Sequence, residues 1–322
     1  MTQHRAKMFD RRTFLGGGLA AIGIASTAYA MARPRTFFAR HGLPIGLQLY
    51  TVAEAARNDL DGTLSKAARI GFRTIELAGF HGHEPAALRA AADRAGLRVT
   101  SIHIQAKARD SDPGLDGDLA RLAADLHFLG VTDVILPIFL VPDHFPTRDA
   151  SEGFGSYLAR VSELFTQDDW KLTAAFLNDK GSALKREGLR LGYHNHNPEF
   201  RAVSGATGYD VIARHTDPDL VALEMDAGWV AAAGHDPAAL LRRYPGRFRS
   251  MHVKDIRSST RVNYALAQDP TEVGRGTIDW KRLLPAAYDT GIRNFFVEQE
   301  PPFERDRFDA LAASFGYLDR LA

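Results

Sequence analysis

Polar side chains spaced two apart recur along this chain within short β-branched runs. Gln48 and Tyr50, His103 and Gln105, His194 and His196, Glu224 and Asp226, His252 and Lys254, and Glu298 and Glu300 share the spacing, and Glu76 stands in a similar run. Residues two apart on a strand point to the same side, so each pair offers two polar groups to one face. Any one of them has an ordinary explanation, such as a glutamate paired with a lysine or a histidine bonded to a carbonyl. The set has none, because burying so many ionisable groups together is costly unless a cation or polar ligand joins them. Carboxylate and imidazole donors suit a divalent cation such as Mn2+, Mg2+ or Co2+. Asp226, His252 and Glu298 end consecutive runs, and a fourth ligand is expected from the run before them, where His194, His196 and Glu199 are available. His194 is taken because it lies level with the other three.

The elements that must position these groups are short strands alternating with amphipathic helices. Strands are predicted at Ile45–Tyr50, Thr74–Leu77, Val99–Ile104, Asp133–Pro137, Leu189–Asn195, Val221–Asp226, Arg249–Lys254 and Asn294–Glu298. Glycine turns such as Gly96-Leu97 and Gly130-Val131 precede most of them, as expected where a helix ends in a positive φ. Glu84–Ala95 and Leu115–Phe128 carry apolar residues at helical spacing, and Ser151–Glu187 predicts two helices with a break near Gln167–Trp170. Eight such βα units predict an α/β fold, a single-domain (β/α)8 TIM barrel over residues 41–322. A doubly wound sheet would need a glycine-rich phosphate loop after its first strand, and Thr51-Val52-Ala53-Glu54 is not one. In a barrel the C-terminal strand ends form the active-site face, which is where the polar pairs fall.

Residues 1–32 are set apart. Arg11-Arg12-Thr13-Phe14-Leu15, an apolar stretch from Leu19 to Ala28, and Ala28-Tyr29-Ala30 follow the basic, apolar, small-residue order of a cleaved signal peptide. The paired arginines resemble a twin-arginine export signal, which implies a periplasmic or otherwise exported protein that crosses the membrane folded. The apolar run is short and glycine-rich against the roughly 20 residues a span needs, so no stable membrane anchor is expected. The absence of cysteine excludes disulfides, thiolate nucleophiles and zinc–thiolate sites. With 40 basic and 39 acidic residues there is no electrostatic footprint for nucleic acid, so no nucleic-acid partner is expected. A homo-oligomer is compatible with the sequence.

Tyr193-His194-Asn195-His196-Asn197-Pro198-Glu199-Phe200, Met225-Asp226-Ala227-Gly228-Trp229, Met251-His252-Val253-Lys254-Asp255 and Val297-Glu298-Gln299-Glu300 resemble the sugar phosphate isomerase/epimerase family of xylose isomerase-like barrels. In the ketose epimerases of that family a Glu, an Asp, a His and a Glu on strands five to eight bind the metal. The resemblance therefore implies Asp226, His252 and Glu298 as ligands, with His194 standing where those enzymes carry the first Glu. It also implies Glu298 as the first candidate base, with Glu300, Glu199 and His196 in reserve; from their strand-end positions and types, Gln48, Tyr50, Glu76, His103, Glu199 and Trp229 are expected to hold the sugar. Phe200 is a further aromatic candidate, and Lys254 is expected to bind a substrate oxygen. Few basic residues beyond Lys254 and Arg275 stand near the strand ends, which points to an unphosphorylated substrate.

The expected function is metal-dependent isomerisation or epimerisation of a sugar or keto-sugar by enediolate proton transfer. Relatives with a histidine pair on strand five include dehydratase-like enzymes, so β-elimination from a keto-sugar or 3-keto-glycoside is the alternative. A sugar-binding protein without catalysis is the alternative of another class, and it would need the pocket but no metal.

Overall fold

The computed structural model of the protein describes residues 36–109 and 112–322. The expected signal peptide lies outside the described residues. Eight parallel strands close a barrel: β1 (Gly46–Gln48), β2 (Thr74–Leu77), β3 (Arg98–His103), β4 (Asp133–Leu136), β5 (Arg190–His194), β6 (Val221–Asp226), β7 (Phe248–Val253) and β8 (Asn294–Val297). Each strand pairs with its neighbours in chain order and β1 closes on β8. All eight predicted strands are present, with ends displaced by a residue or two. The first is the shortest, because the Gln48 side chain accepts the Tyr50 amide at 3.0 Å and turns the chain into a 3-10 turn over Leu49–Val52.

Amphipathic helices surround the strands. Pro85–Ala95 buries Leu88, Ala91 and Ala92, and Leu119–Leu129 buries Leu122, Ala123, Leu126 and Leu129. Gly130 ends the second of these at φ 82°, a left-handed conformation glycine adopts without Cβ strain. The long stretch does form two helices, Phe154–Ser162 and Gln167–Arg186, but the break precedes Gln167. Thr166 and Asp169 cap each other's backbone amides in a capping box, so the polar Gln167–Trp170 segment is a first helical turn.

The barrel unit begins before residue 41. Helix Phe37–His41 carries two buried phenylalanines, whose rings meet Phe295 of β8 edge-on at 6.0 and 5.7 Å, and the Phe37 amide donates to Leu321 O at 2.7 Å. Among the described residues no helix is long and apolar enough to cross a membrane.

Strand register sets the inner polar layer. Gln48 lies beside Glu76, Glu76 beside Ser101, His194 beside Glu224, Glu224 beside Ser250, and Asp226 beside His252. Shifts in register after Ile75 and Leu223 bring Glu76 and Glu224 level with these partners. Barrel interiors are ordinarily filled by branched apolar side chains, so this layer marks the working end.

Candidate active site

Glu224 is the centre of the polar layer. Its Oε1 stands 3.1 Å from His103 Nε2, 3.1 Å from His194 Nδ1 and 3.2 Å from His252 Nε2, and its Oε2 accepts the Ser250 hydroxyl at 2.7 Å. Glu76 has a similar position, accepting from Gln48 at 2.8 Å and from Ser101, and lying 2.6 Å from His252 Nε2. Burial alone would lower the pKa of His103, but Glu76 and Glu224 drive it up to about 9. Burial likewise opposes charge on His252, and Glu224 and Glu298 overcome it, holding this imidazole well above its ordinary range. His194 goes the other way, lowered by burial and by the neighbouring His252.

A second cluster adjoins the first through His252, whose Nδ1 is 2.9 Å from Glu298 Oε2 and 3.7 Å from Asp226 Oδ2. The buried Lys254 ammonium reaches Asp226 at 2.8 Å, Glu298 at 2.7 Å and Glu300 at 2.6 Å. Burial would raise the Glu298 pKa, but Lys254 and His252 hold it well below the carboxylate range. The Glu300 pKa is raised by burial and by Glu298, against the pull of Lys254. A Cβ at Gly228 would lie 2.8 Å from Lys254 Cγ, so the glycine after Asp226-Ala227 makes room for the lysine stem.

Asp226 divides its two oxygens. Oδ1 accepts the Trp229 amide at 2.9 Å and so caps the helix Ala227–Ala232, while Oδ2 pairs with the Lys254 ammonium at 2.8 Å. Asn195 fixes the Asp226 backbone by accepting its amide at 3.1 Å. Ligand atoms of Asp226, His252 and Glu298 lie within 4.8 Å of one another, as do those of His103, His194, Glu224 and His252. His194 Nε2 stands 3.8 Å from Asp226 Oδ2, but its ligand atoms group with those of His103, Glu224 and His252, so three of the four expected ligands, Asp226, His252 and Glu298, form one cluster.

A cavity of about 730 Å3 opens over these clusters, and His103, His194, His196, Glu298, Glu300, Tyr50 and Trp229 line it. Gln48, Glu76 and Lys254 are fully buried beneath it and engage protein groups, so they support the floor. Glu199, expected as a substrate contact, is also buried and does not line the cavity. It accepts the Tyr193 hydroxyl at 2.7 Å and the His196 amide at 2.9 Å, and burial pushes its pKa up to about 7. Phe200 stacks on Tyr209 at 5.0 Å in the core and Arg275 turns to Glu272 at 3.7 Å; neither lines the cavity. Arg57, in the last turn of the helix Ala53–Asn58, and Arg109 are arginines on the cavity wall, and neither position gave a sequence signal.

The His196 imidazole faces Trp229 with ring centroids 5.5 Å apart. Its Nδ1 is buried without a hydrogen-bond partner among the described residues, and burial, followed by His194 and Lys254, holds its pKa well below the usual histidine value. The site therefore offers the cavity a neutral imidazole and a carboxyl tied to an ammonium, above a floor of carboxylates and imidazoles. Such a set can accept a proton on one side of a bound molecule and return one on the other.

The profile of the xylose isomerase-like TIM barrel family matches residues 64–321. An inosose dehydratase from Geobacillus kaustophilus is 28% identical over 200 residues, 61% of this chain and 62% of that protein. One from Clostridium beijerinckii is 34% identical over 157 residues, 44% of this chain and 52% of the relative. The matches thus span only about half to three fifths of these relatives. A sugar phosphate isomerase/epimerase from Parabacteroides distasonis superposes with a TM-score of 0.67 at 25% identity, covering 87% of this chain and 98% of the other. An L-ribulose 3-epimerase has the same fold, with a TM-score of 0.58 at 18% identity and coverage of 86% and 93%. With the closed eight-stranded barrel and a family match over most of its length, this chain belongs to the xylose isomerase-like TIM barrel family.

Proposed function

We propose that the protein is a divalent-metal-dependent lyase that eliminates a β-oxygen from an unphosphorylated keto-sugar or keto-cyclitol. The observation that carries this reading is the pairing of a clustered floor of Asp226, His252 and Glu298, with His194 adjoining it, with a cavity wall that presents His196 and Glu300. The oxygen and nitrogen donors of Asp226, His252 and Glu298, which lie within 4.8 Å of one another, fit Mn2+, Mg2+ or Co2+. A divalent cation held there supplies polarisation of a ketone oxygen and thereby acidifies the neighbouring C–H.

The protein's own groups do the rest. Neutral His196 takes the α-proton, the electron pair left behind expels the β-oxygen, and the Lys254–Glu300 pair returns a proton to the leaving oxygen. The balance is redox-neutral: one C–H and one C–O bond break, one C=C forms, and water or an alcohol departs. Glu298, expected as first base, is held well below the carboxylate range by Lys254 and His252 against the effect of burial, which suits a ligand better than a base. The inosose dehydratase relatives favour elimination over the isomerase or epimerase outcome that the sequence put first. Those outcomes share the proton abstraction and differ only in where the proton returns.

The test is incubation of metal-loaded protein with keto-inositols and keto-sugars in D2O, followed by NMR. Elimination gives an enone and a released water or alcohol. Exchange of deuterium without loss of an oxygen substituent would reassign the enzyme as an isomerase or epimerase, and no exchange with any keto substrate would end the enzymatic reading. His196→Ala should lower turnover by about 10^2 to 10^4-fold while leaving metal stoichiometry intact. Asp226→Ala should lose the metal.

A further inference from the structure

The cavity is larger than a single sugar ring requires. At about 730 Å3 it lies in the upper part of the roughly 300–1,000 Å3 range of small-molecule pockets. Its two sides differ in chemistry. The acid–base groups and expected metal ligands come from the ends of β5 to β8. The segments after β3 and β4 contribute Ile104, Pro137 and Ile138, with Phe154 and Leu158 of the helix Phe154–Ser162, as an apolar wall beside the polar Gln105, Arg109 and Asp112. Phe154 remains 46% exposed and Tyr50, on the lining near β1, remains 51% exposed. Scattered exposed aromatics need no explanation, but Phe154 and Tyr50 both lie on the lining of one cavity, where a ligand would cover them.

We propose that this wall is a second subsite, and that it takes an uncharged, apolar or aromatic ring joined to the reacting keto-ring through the oxygen that is expelled. The inference rests on the elimination reading and sharpens its substrate class to a keto-glycoside with an apolar aglycone. The α-proton goes to His196, the glycosidic C–O bond breaks as the C=C forms, and the aglycone leaves as an alcohol protonated by the Lys254–Glu300 pair. It departs along the Phe154 side. Arg109, whose guanidinium lies 5.8 Å from the Phe154 ring centroid, backs that aromatic face.

Two measurements test it on the metal-loaded full barrel. The first compares phenyl and methyl 3-keto-glucosides as substrates, with glucose 6-phosphate as an anionic competitor. The phenyl compound should have the higher kcat/KM by about tenfold or more, and Phe154→Ala should bring the two within about twofold. The second follows saturation transfer to the phenyl protons of unoxidised phenyl β-glucoside, which has no ketone and cannot react. Transfer should be strong with the native chain and lost in Phe154→Ala; Ile138→Ala gives an independent check. If phenyl glucoside binds in a Phe154-dependent way but no keto-glycoside loses its aglycone, the subsite stands and the lyase reading fails. If both keto-glycosides are cleaved equally and Phe154→Ala changes neither ratio nor transfer, the lyase stands and the subsite is wrong. Displacement of the phenyl compound by the phosphate sugar at much lower concentration would replace the apolar subsite with an anion site at Arg57 and Arg109.

Discussion

His81 is a side chain whose protonation the fold opposes. It sits on the cavity wall with its backbone at φ 55°, in the left-handed region that few non-glycine residues occupy, and its Nε2 accepts the Ala78 amide at 3.3 Å. Burial, with Arg57 and His83 adding to it, lowers its pKa from 6.5 to about 4. Above pH 6.5 the residue is neutral whether folded or not. As pH falls from 6.5 toward 4 only the unfolded chain takes up the proton, so stability present above pH 6.5 drains away, by on the order of 3 kcal/mol. Asn tolerates the left-handed backbone and cannot protonate. His81→Asn is therefore expected to cost about 1 kcal/mol at pH 8 and to flatten the acid limb of the Tm-against-pH curve. An unchanged slope between pH 6.5 and 4 would show that another group controls it. Asp226, His252 and His194 were legible in sequence because spacing by two on successive strands requires convergence. The role of Glu224 was not, since its three histidine neighbours come from three other strands and only the register brings them together. Glu199 misled for a related reason: a carboxylate five residues past His194 folds back through a 3-10 turn, Pro198–Phe200, to hold the His196 amide from behind.

At the scale of elements, the hydrophobic periods were sufficient to place every strand, but the loops that shape the cavity left no such trace. Their conformation depends on buried polar residues that act over long sequence distances. Asn197 accepts the Leu266 amide at 3.0 Å and donates to Asn263 at 2.8 Å, fastening the loop after β7 to the end of β5. Asp255 does more. Its Oδ2 accepts from Gly274 N at 2.9 Å, Gly276 N at 3.3 Å and Trp280 Nε1 at 2.8 Å, and its Oδ1 from Ile256 N at 3.0 Å and Ile278 N at 3.2 Å. A Cβ at Gly276 would lie 2.2 Å from Asp255 Oδ1, so glycine is what lets the loop close on the carboxylate. Hydrogen bonds to a charged acceptor contribute about 1.5–3 kcal/mol each and do not add independently. Asp255→Ala should cost more than about 3 kcal/mol in urea unfolding, because it leaves several buried donors without an acceptor. Asp255→Asn, which keeps one accepting oxygen, should recover part of the loss. A cost below about 1 kcal/mol for the alanine variant would mean that the loop is held by its apolar contacts with Trp280.

Across the whole molecule, the groups proposed for chemistry and for recognition occupy different sides of one barrel mouth: the ends of β5 to β8 carry the expected ligands and acid–base groups, and the segments after β2 to β4 supply other parts of the lining. We propose that the segment at Arg11-Arg12 is the twin-arginine signal it resembles, which requires the barrel to fold before it crosses the membrane. The two arginines are the discriminating residues, since a general secretory signal needs positive charge but not guanidinium. Arg11→Lys with Arg12→Lys keeps the charge, and is expected to leave full-length precursor in the cytoplasm, whereas the native chain is recovered from the periplasm cut after Ala30. Fractionation and mass spectrometry of the N-terminus read both outcomes. Export must then also depend on folding, so the destabilised Asp255→Ala barrel should accumulate unexported even with its arginines intact. Equal export of the double-lysine chain would assign the segment to the general pathway, and the barrel would then have to fold and acquire its metal after crossing.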